Sequence, residues 1–377
     1  MNETRALVDA FDAANIRGER CALATVVSVE GSSYRRPGAR MLVGETGAGT
    51  GTISAGCLES DVIEHAKHAI RTGEAKLVEY DTTASSEEMA WGLGLGCNGV
   101  VRVLVEPVAA DSLYIKALRR SCEMRLDAAP ITVATVYQAS EIAPAGARLV
   151  MHEEGSVQAE KLSTEMAALL ESEVRTSRGG MASLKVFVER LLPPVSLVLF
   201  GAGQDALPIV ELARGLGWRT EVVDPQARPA SLSRFALADR VTLARPEDVA
   251  ARVRLTPRTL ALLMSHNYAH DLELLRFLLT SPACYIGVMG PRKRTERMLS
   301  QLGMDEESSR LHAPVGLDIG ASTPAEIALS ILAEMRAVLE GRSGGMLRER
   351  RGSIHGGAED RERVFLTEDR VLPVAVS

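Results

Sequence analysis

The pattern of apolar and polar positions divides the chain into regions of different character. Up to about residue 124, strand-like apolar runs alternate with segments of helical spacing, and Gly-rich stretches separate them. The pattern predicts strands at 21–29, 39–43, 75–80 and 100–105, and helices at 4–17, about 57–70 and 112–124. This mixture of short strands and amphipathic helices is typical of an α+β domain.

The following segment repeats the apolar framework of the first. Residues 131–136 (ITVATV) resemble 22–27 (ALATVV), and residues 146–150 (GARLV) resemble 38–42 (GARML). A helix at 162–170 is expected in place of the 57–70 helix, and a strand at 184–188 in place of 77–80. The second copy has Ala-Pro-Ala in place of Arg-Arg-Pro and no counterpart of Gly-Cys-Leu-Glu. The pattern therefore predicts an internal duplication in which only the first copy keeps a site.

Beyond the paired prolines at 193 and 194, strands and helices alternate regularly. An apolar run ends in Gly201-Ala202-Gly203, a helical pattern follows, and a second strand ends at Asp224. Gly-x-Gly-x-x-Ala followed about 20 residues later by an acid is the spacing of a dinucleotide fingerprint. In that motif Gly201 permits the turn, Gly203 admits a pyrophosphate, and Asp224 accepts a ribose hydroxyl. The apolar run at 258–264 is typical of a parallel sheet covered on both faces.

The expected fold class is α/β, with a C-terminal Rossmann-like, doubly wound parallel sheet and an internally duplicated N-terminal α+β domain. The boundaries predicted from the pattern are 1–110 for the first copy, 111–192 for the second and 196–342 for the Rossmann-like domain. A Gly- and Arg-rich tail at 343–377 is expected to be partly ordered.

Composition excludes several classes of protein. The net charge of −6 argues against a generally basic surface that binds nucleic acid. No apolar run approaches the roughly 20 residues that cross a membrane, and the N-terminus lacks the features of a signal peptide. We therefore expect a cytoplasmic protein. The five scattered cysteines lack CxxC spacing, which predicts neither a disulfide framework nor a structural zinc site.

Further candidates in the Rossmann-like region lie where its strands end. His266 follows the strand at 258–264, and Arg292 and Arg294 follow the strand at 283–289. A histidine in such a place is often a satisfied polar group, and the arginines could simply begin a solvated helix. However, cations at a helix N-terminus oppose the helix dipole, and a bound anion would offset that cost.

The first copy contains a second group of candidates on its Gly-rich loops. Cys57 follows a glycine and precedes a predicted helix, where a thiolate is favoured, and Cys97 lies among several glycines. The alternative is that both are buried, inert thiols. Glu59 could be an ordinary acid of the first helical turn. Arg35 and Arg36 on a tight turn are candidate anion-binding residues, with a solvated turn as the alternative.

With these motifs assembled, the chain resembles the XdhC/CoxI family, accessory proteins of molybdenum hydroxylases such as xanthine dehydrogenase. The resemblance covers the chain to about Gly341 and rests on the segments GSSYRRPGARM at 31–41, GCLE at 56–59, GLGCNG at 94–99, GAG at 201–203, SHN at 265–267, GVMG at 287–290 and PVGLDIG at 314–320. Two positions depart from the common pattern: Asn98 where Gly is common, and Pro291 where Ser is common.

The resemblance implies a molybdenum cofactor insertion chaperone rather than an enzyme. Such a protein binds molybdopterin or its cytosine dinucleotide, aids its sulfuration with a cysteine desulfurase, and delivers it to the apo form of a molybdenum hydroxylase. Cys57 and Cys97 would then contact molybdenum. The implied cofactor-binding residues are Arg35, Arg36, Cys57, Glu59, Cys97, Gly201, Gly203, Asp224, His266, Arg292 and Arg294. A homodimer is also compatible with this implied fold.

Two other classes of function remain open from the sequence. An NAD(P)-dependent oxidoreductase would use the same glycine turn and Asp224, with His266 as its acid or base. A redox-sensing or structural partner protein with a vestigial nucleotide fold would bind no such ligand. The Cys57 and Cys97 loops favour the accessory protein, because a simple dehydrogenase needs neither.

Overall fold

The structure, a computed structural model, describes residues 2–54, 56–81, 99–140, 142–176, 184–226, 228–304 and 308–351. Cys97 and most of the tail expected to be partly ordered lie outside these ranges. Two compact units are present, one formed by Glu3–Met124 with Ala129–Leu192, and one formed mainly by the chain from Pro193 onward. We refer to them as the N-terminal unit and the Rossmann unit. None of the helices in the described ranges is long and apolar enough to cross a membrane.

The N-terminal unit contains two antiparallel sheets with helices packed on them. Its elements are α1 (Asn2–Ile16), β1 (Cys21–Gly31), β2 (Arg40–Gly44), β3 (Gly49–Gly51), α2 (Glu59–Thr72), β4 (Lys76–Asp81), β5 (Gly99–Val108), α3 (Leu113–Glu123), β6 (Ile131–Val136), β7 (Arg148–His152), β8 (Val157–Glu160), α4 (Thr164–Thr176) and β9 (Val186–Leu191). The sheets have the orders β3-β2-β1-β5-β4 and β8-β7-β6-β9. Strand β1 is buried along its first eight residues because α2 covers one face and the second copy contacts the other.

Strand register confirms that the second sheet repeats the first. Thr25 of β1 pairs with Arg40 of β2, and Thr135 of β6 pairs with Arg148 of β7. The predicted equivalence of 184–188 with 77–80 is wrong, since β9 flanks β6 as β5 flanks β1. Among the described strands the second sheet has none in the edge position of β4. The prediction failed because an edge strand and its neighbour share the same apolar alternation.

Buried ion pairs connect the two copies reciprocally. Arg40 of the first copy pairs with Glu189 of the second, and Arg148 of the second pairs with Glu106 of the first. The Tyr114 hydroxyl donates to Glu189 over 2.5 Å, while the Arg148 guanidinium lies 4.3 Å from the centre of the Tyr114 ring. Breaking one such buried pair typically costs about 3–5 kcal/mol because it leaves an uncompensated charge.

The Rossmann unit contains a six-stranded sheet in which every strand pairing is parallel. Its elements are β10 (Ser196–Phe200), α5 (Leu207–Gly215), β11 (Arg219–Asp224), α6 (Ala230–Arg234), β12 (Arg240–Leu243), α7 (Val249–Arg252), β13 (Thr259–Leu263), α8 (Tyr268–Thr280), β14 (Tyr285–Val288), α9 (Arg292–Leu302), β15 (Leu311–His312) and α10 (Pro324–Leu339). The strand order is β12-β11-β10-β13-β14-β15. Residues of α5 and α10 pack on one face of the sheet and residues of α8 and α9 on the other.

This topology confirms the predicted doubly wound sheet and locates its switch point. The chain runs outward from β10 through β11 to β12, then returns to the other side of β10 at β13. Ligands of open α/β sheets bind at the carboxyl ends of the strands where this reversal occurs. The ends of β10, β11 and β13 are therefore the part of this unit where a ligand is expected.

Candidate functional site

The loop that carries Cys57 is held by a single carboxylate. Glu59, the first residue of α2, turns back over the preceding chain and accepts hydrogen bonds from the Thr52 hydroxyl at 2.6 Å and the Ser54 amide at 2.9 Å. The Ser54 hydroxyl and the amides of Ile53 and Leu58 donate to the same carboxylate. Cys57 lies inside this loop, and it is exposed.

The protonation of Glu59 reflects these contacts. Burial would by itself raise the pKa of Glu59, but the bonds from the Ser54 and Thr52 hydroxyls and from backbone amides outweigh it and lower the pKa to about 2. The carboxylate is therefore ionised at neutral pH and already occupied by protein donors. This arrangement gives Glu59 the role of positioning the Cys57 loop. The sequence pattern did not reveal the part played by Thr52 and Ser54.

The two arginines of the first turn are not simply solvated. Arg35 forms a two-point ion pair with Glu3 of α1, in which Nη1 lies 3.0 Å from Oε1. The pKa of Arg35 is raised, chiefly by this hydrogen bond and to a smaller extent by the charge of Glu59. The turn at Arg35 and the Cys57 loop are thus in electrostatic reach of each other. Arg36 is half-buried.

Cys97 lies outside the described residues, so the contact with molybdenum that the resemblance implies for it stays a prediction. Gly99, the first described residue after it, pairs with Gly31 at the end of β1. A Cβ atom on Gly99 would collide with the carbonyl oxygens of Glu30 and Ser32. This close approach requires glycine, and it brings the chain back beside the turn that carries Arg35.

The other described cysteines have a different environment. Cys21 and Cys122 are buried and Cys284 is half-buried, and burial raises the pKa of all three thiols. Within the described ranges no group of three or more His, Cys, Asp or Glu side chains is placed to hold a metal ion. Cys57 is thus the described thiol that solvent and a ligand can reach.

In the Rossmann unit, the predicted glycine turn follows β10. Gly201 has a φ of +146°, and a Cβ atom there would collide with the backbone oxygen of Met264 at the end of β13. Gly203 is extended, with a φ of −72°, and the Asp205 carboxylate fills the space that a side chain at 203 would take. The first glycine is therefore required by close packing between neighbouring strand ends.

His266 stands beside this turn in a strained conformation. Its φ of +57° is unusual for a residue other than glycine. Its Nε2 atom lies 2.7 Å from Oδ2 of Asp205, and its side chain is 60% exposed. The neighbouring Asn267 caps α8 by accepting from the amides of Ala269 and His270. Asp205, which the sequence did not single out, thus pairs with His266 next to the glycine turn.

The two arginines that begin α9 have separate surroundings. Arg294 donates from Nη2 to the buried carboxylate of Asp271 over 2.7 Å, and Asp271 also accepts from the Ser265 hydroxyl at 2.5 Å. Arg294 therefore supports the loop at the end of β13. Arg292 is exposed at the first position of the helix. The structure brings Arg294, but not Arg292, into a contact with this loop.

Asp224, at the end of β11, has no exposed surface. Its Oδ1 accepts from the Gln226 amide at 2.9 Å, and its Oδ2 accepts from the Arg228 amide at 3.1 Å, Arg228 Nε at 3.0 Å and the Ser231 hydroxyl at 2.6 Å. Burial would raise the pKa of Asp224, but the bonds from Ser231 and Arg228 outweigh it and hold the pKa below its usual range.

A further arginine that the sequence did not indicate lies over the glycine turn. Arg234, the last residue of α6, donates from Nη1 to the backbone oxygen of Ala202 over 2.9 Å. Arg234 is exposed. No local motif marks this residue, because the contact spans 32 positions and depends on how α6 folds back after β11.

Comparison with known proteins identifies the family. A family model described as the XdhC and CoxI family matches residues 16–81, and one described as the XdhC Rossmann domain matches residues 197–335. The chain is 32% identical over 321 residues to a Bacillus subtilis protein described as a probable component of xanthine dehydrogenase, covering 84% of this chain and 92% of that protein. It is 24% identical over 326 residues to the molybdenum cofactor insertion chaperone PaoD of Escherichia coli, covering 85% and 84% of the two chains.

A solved structure shows the same fold across nearly the whole length. A protein from Bacillus halodurans, whose crystal structure is described as that of a xanthine dehydrogenase, superimposes with a TM-score of 0.75 at 30% sequence identity. The match covers 90% of this chain and 97% of that one. The motifs, the topology and these relatives agree, and the chain belongs to the XdhC and CoxI family.

Proposed function

We propose that this chain binds the molybdenum cofactor and delivers it to the apo form of a molybdenum hydroxylase of the xanthine dehydrogenase or CO dehydrogenase type. The names of the relatives support an association with such enzymes, and PaoD is named as an insertion chaperone for this cofactor.

The Cys57 loop is the observation that carries the proposal. An exposed thiol is a soft ligand suited to molybdenum, and Glu59 fixes the loop on which it is displayed. A fixed loop keeps the thiol in place without a large entropic cost on binding. The second copy repeats the framework of the first but has no Gly-Cys-Leu-Glu segment. That difference favours a site in the first copy rather than a purely structural role for the loop.

We also propose that the bound cofactor receives sulfur from a partner protein before its delivery. A chaperone that holds the cofactor at an exposed thiol leaves the metal accessible, so a cysteine desulfurase could supply sulfur before delivery. The form of the cofactor at this stage is molybdopterin or its cytosine dinucleotide. The first turn supplies two cations, Arg35 and Arg36, for an anionic group of that ligand, which would compete with the contacts that these side chains already make.

The experiment is the activation of an apo-hydroxylase. The chain is purified from a host that makes the molybdenum cofactor and mixed with the apo-hydroxylase, and the recovered turnover is compared with that obtained from an equal amount of free cofactor. We expect the loaded chain to restore more activity, since bound cofactor is protected during transfer. The Glu59→Gln variant should restore less, because its Cys57 loop is no longer fixed.

A matched control shows whether a loss of activation comes from the Cys57 loop or from any loss of a carboxylate on α2. Glu64 lies on α2 and pairs with Lys67 at the surface, so Glu64→Gln removes one carboxylate of that helix without touching the Cys57 loop. This variant should activate the hydroxylase as well as the unchanged chain does. Activation no greater than that from free cofactor would contradict the proposed delivery.

A second candidate function is an NAD(P)-dependent oxidoreductase. The pair formed by His266 and Asp205 favours it, because an exposed imidazole held by a carboxylate beside a nucleotide-type turn is suited to proton transfer. Two of the relatives also carry the name of a dehydrogenase. This candidate predicts substrate-dependent oxidation or reduction of a nicotinamide by the purified chain, with loss of turnover in His266→Gln.

A further inference from the structure

We infer that the carboxyl edge between β10 and β11 selects a phosphate ester and rejects a ribose diol. In a dinucleotide fold this position distinguishes ligands, since an exposed acid accepts ribose hydroxyls whereas a nearby arginine accommodates a phosphate. The inference rests on the proposed function where it concerns the molybdenum cofactor, and it names the chemical group that the Rossmann unit recognises.

The acid at this position is closed to a ribose. Both oxygens of Asp224 are occupied by donors from Gln226, Arg228 and Ser231, and the side chain has no exposed surface. A ribose hydroxyl could reach the carboxylate only by displacing the Arg228 guanidinium and the Ser231 hydroxyl. Each displaced bond to the charged carboxylate would have to be replaced, and a neutral hydroxyl forms a weaker bond than a guanidinium does.

The same edge instead presents cations. Arg228 covers Asp224 with its side chain still 45% exposed, and Arg234 contacts the glycine turn through Nη1. A guanidinium has five N–H donors and can bind phosphate oxygens through two at once. Among the contacts between described residues, Arg234 uses one of these donors and Arg228 uses Nε and Nη2. Both side chains therefore keep donors for an acceptor such as phosphate.

The charges at this edge favour an anion. Arg228 and Arg234 carry two positive charges, and Asp224 carries one negative charge. These three side chains together are therefore positively charged. The other acid near the glycine turn, Asp205, turns its Oδ2 to the exposed imidazole of His266, which offsets the charge of this carboxylate when the imidazole is protonated. A phosphate gains from such a patch through charge-assisted bonds, whereas an uncharged diol gains little.

One chemistry, the phosphate ester, could come from two sources. The first is the terminal phosphate of molybdopterin, which the dinucleotide form of the cofactor lacks as a free monoester. The second is the 2′-phosphate of NADP(H). NAD(H) has a hydroxyl group at that position. The two sources require separate measurements.

The first measurement compares NADPH with NADH, which differ only by this phosphate. Each is titrated into the full-length chain, and binding is followed by nicotinamide fluorescence at low and moderate salt. We expect NADPH to bind roughly tenfold more tightly than NADH, and Arg234→Gln and Arg228→Gln to abolish the preference. Arg276→Gln is the control, since Arg276 is an exposed residue of α8 paired with Glu273.

The outcomes of the titration are decisive whether or not the cofactor proposal holds. Equal affinities, tighter binding of NADH, or no detectable binding of either nucleotide would overturn the inference. Arg234→Gln guards against a folding artefact, because within the described residues the Arg234 side chain bonds only to the Ala202 oxygen of the glycine turn, whereas the Arg228 side chain bonds to the buried carboxylate of Asp224.

The second measurement identifies the source in the cofactor. The chain is purified from a host that makes both forms of the cofactor, and bound pterin and cytidine monophosphate are quantified after acid hydrolysis. The inference predicts pterin with less than about one tenth of an equivalent of cytidine monophosphate, and a severalfold lower pterin content in Arg234→Gln. Equimolar cytidine monophosphate would overturn it. Absence of pterin would refute the proposed function and leave the nucleotide titration to decide the inference.

Discussion

Replacing Glu59 with Gln should loosen the Cys57 loop by a predictable amount. The carboxylate accepts hydrogen bonds from Thr52, Ile53, Ser54 and Leu58. A glutamine can keep one oxygen in place, but its amide group then faces the Leu58 N–H, and the remaining bonds are no longer charge-assisted. Bonds to charged groups contribute about 1.5–3 kcal/mol and neutral ones about 1 kcal/mol. The expected loss is therefore about 1–2 kcal/mol.

The lowered pKa of Glu59 indicates a similar amount of stabilisation by this carboxylate. Its fall from 4.5 to about 2 corresponds to at most about 3 kcal/mol, and partial solvent exposure of the carboxylate reduces this to about 1–2 kcal/mol. Because the folded-state pKa is depressed, this stabilisation is fully present above pH 4.5 and is lost as the pH falls towards about 2. The difference between the unchanged chain and Glu59→Gln should disappear over the same interval.

Hydrogen exchange measures the local stability of the Cys57 loop directly. We expect the amides of Ser54 and Leu58 to exchange about 5- to 30-fold faster in Glu59→Gln than in the unchanged chain, after correction for intrinsic rates. Glu64→Gln should leave these amides unaffected. Identical exchange in the two glutamine variants would refute the view that the Glu59 carboxylate holds the loop.

Three further predictions concern other parts of the molecule. Gly201→Ala should lower the thermal midpoint by several degrees, because it combines a left-handed φ with a steric collision at a neighbouring strand; an unchanged midpoint would contradict the packing described. Arg148→Met should cost about 3–5 kcal/mol in urea unfolding by leaving Glu106 buried without a partner, and adding Glu106→Leu should recover much of that loss. Iodoacetamide should label Cys57 in the native chain within minutes but Cys122 only after unfolding, as mass spectrometry of tryptic peptides would show; equal rates would contradict the burial difference.

The sequence predicted those features that depend on local pattern. The glycine turn at 201–203 was predicted correctly, since it is specified by residues close together in the chain. The capping box at the start of α10, in which the Thr323 hydroxyl accepts from the Glu326 amide, is specified just as locally. The doubly wound sheet could also be predicted, because the continuous apolar runs that mark its strands are local patterns.

Contacts between distant residues could not be predicted in this way. The partner of Arg35 lies 32 positions away in α1, and Arg40 pairs with a residue 149 positions away. The spacing located Asp224 correctly at a strand end, but not the way Arg228 and Ser231 fold over it. Side-chain direction, not position, decides whether such an acid is available to a ligand.

The cofactor content of the purified chain shows whether Cys57 holds the molybdenum of a bound cofactor. Molybdenum and oxidised pterin are quantified for the unchanged chain, for Cys57→Ala, and for Cys284→Ala as a control thiol in the Rossmann unit. We expect close to one equivalent of pterin and of molybdenum in the unchanged chain and in the control, and loss of most of the molybdenum in Cys57→Ala. Absence of pterin from the unchanged chain, or full molybdenum content in Cys57→Ala, would contradict this expectation.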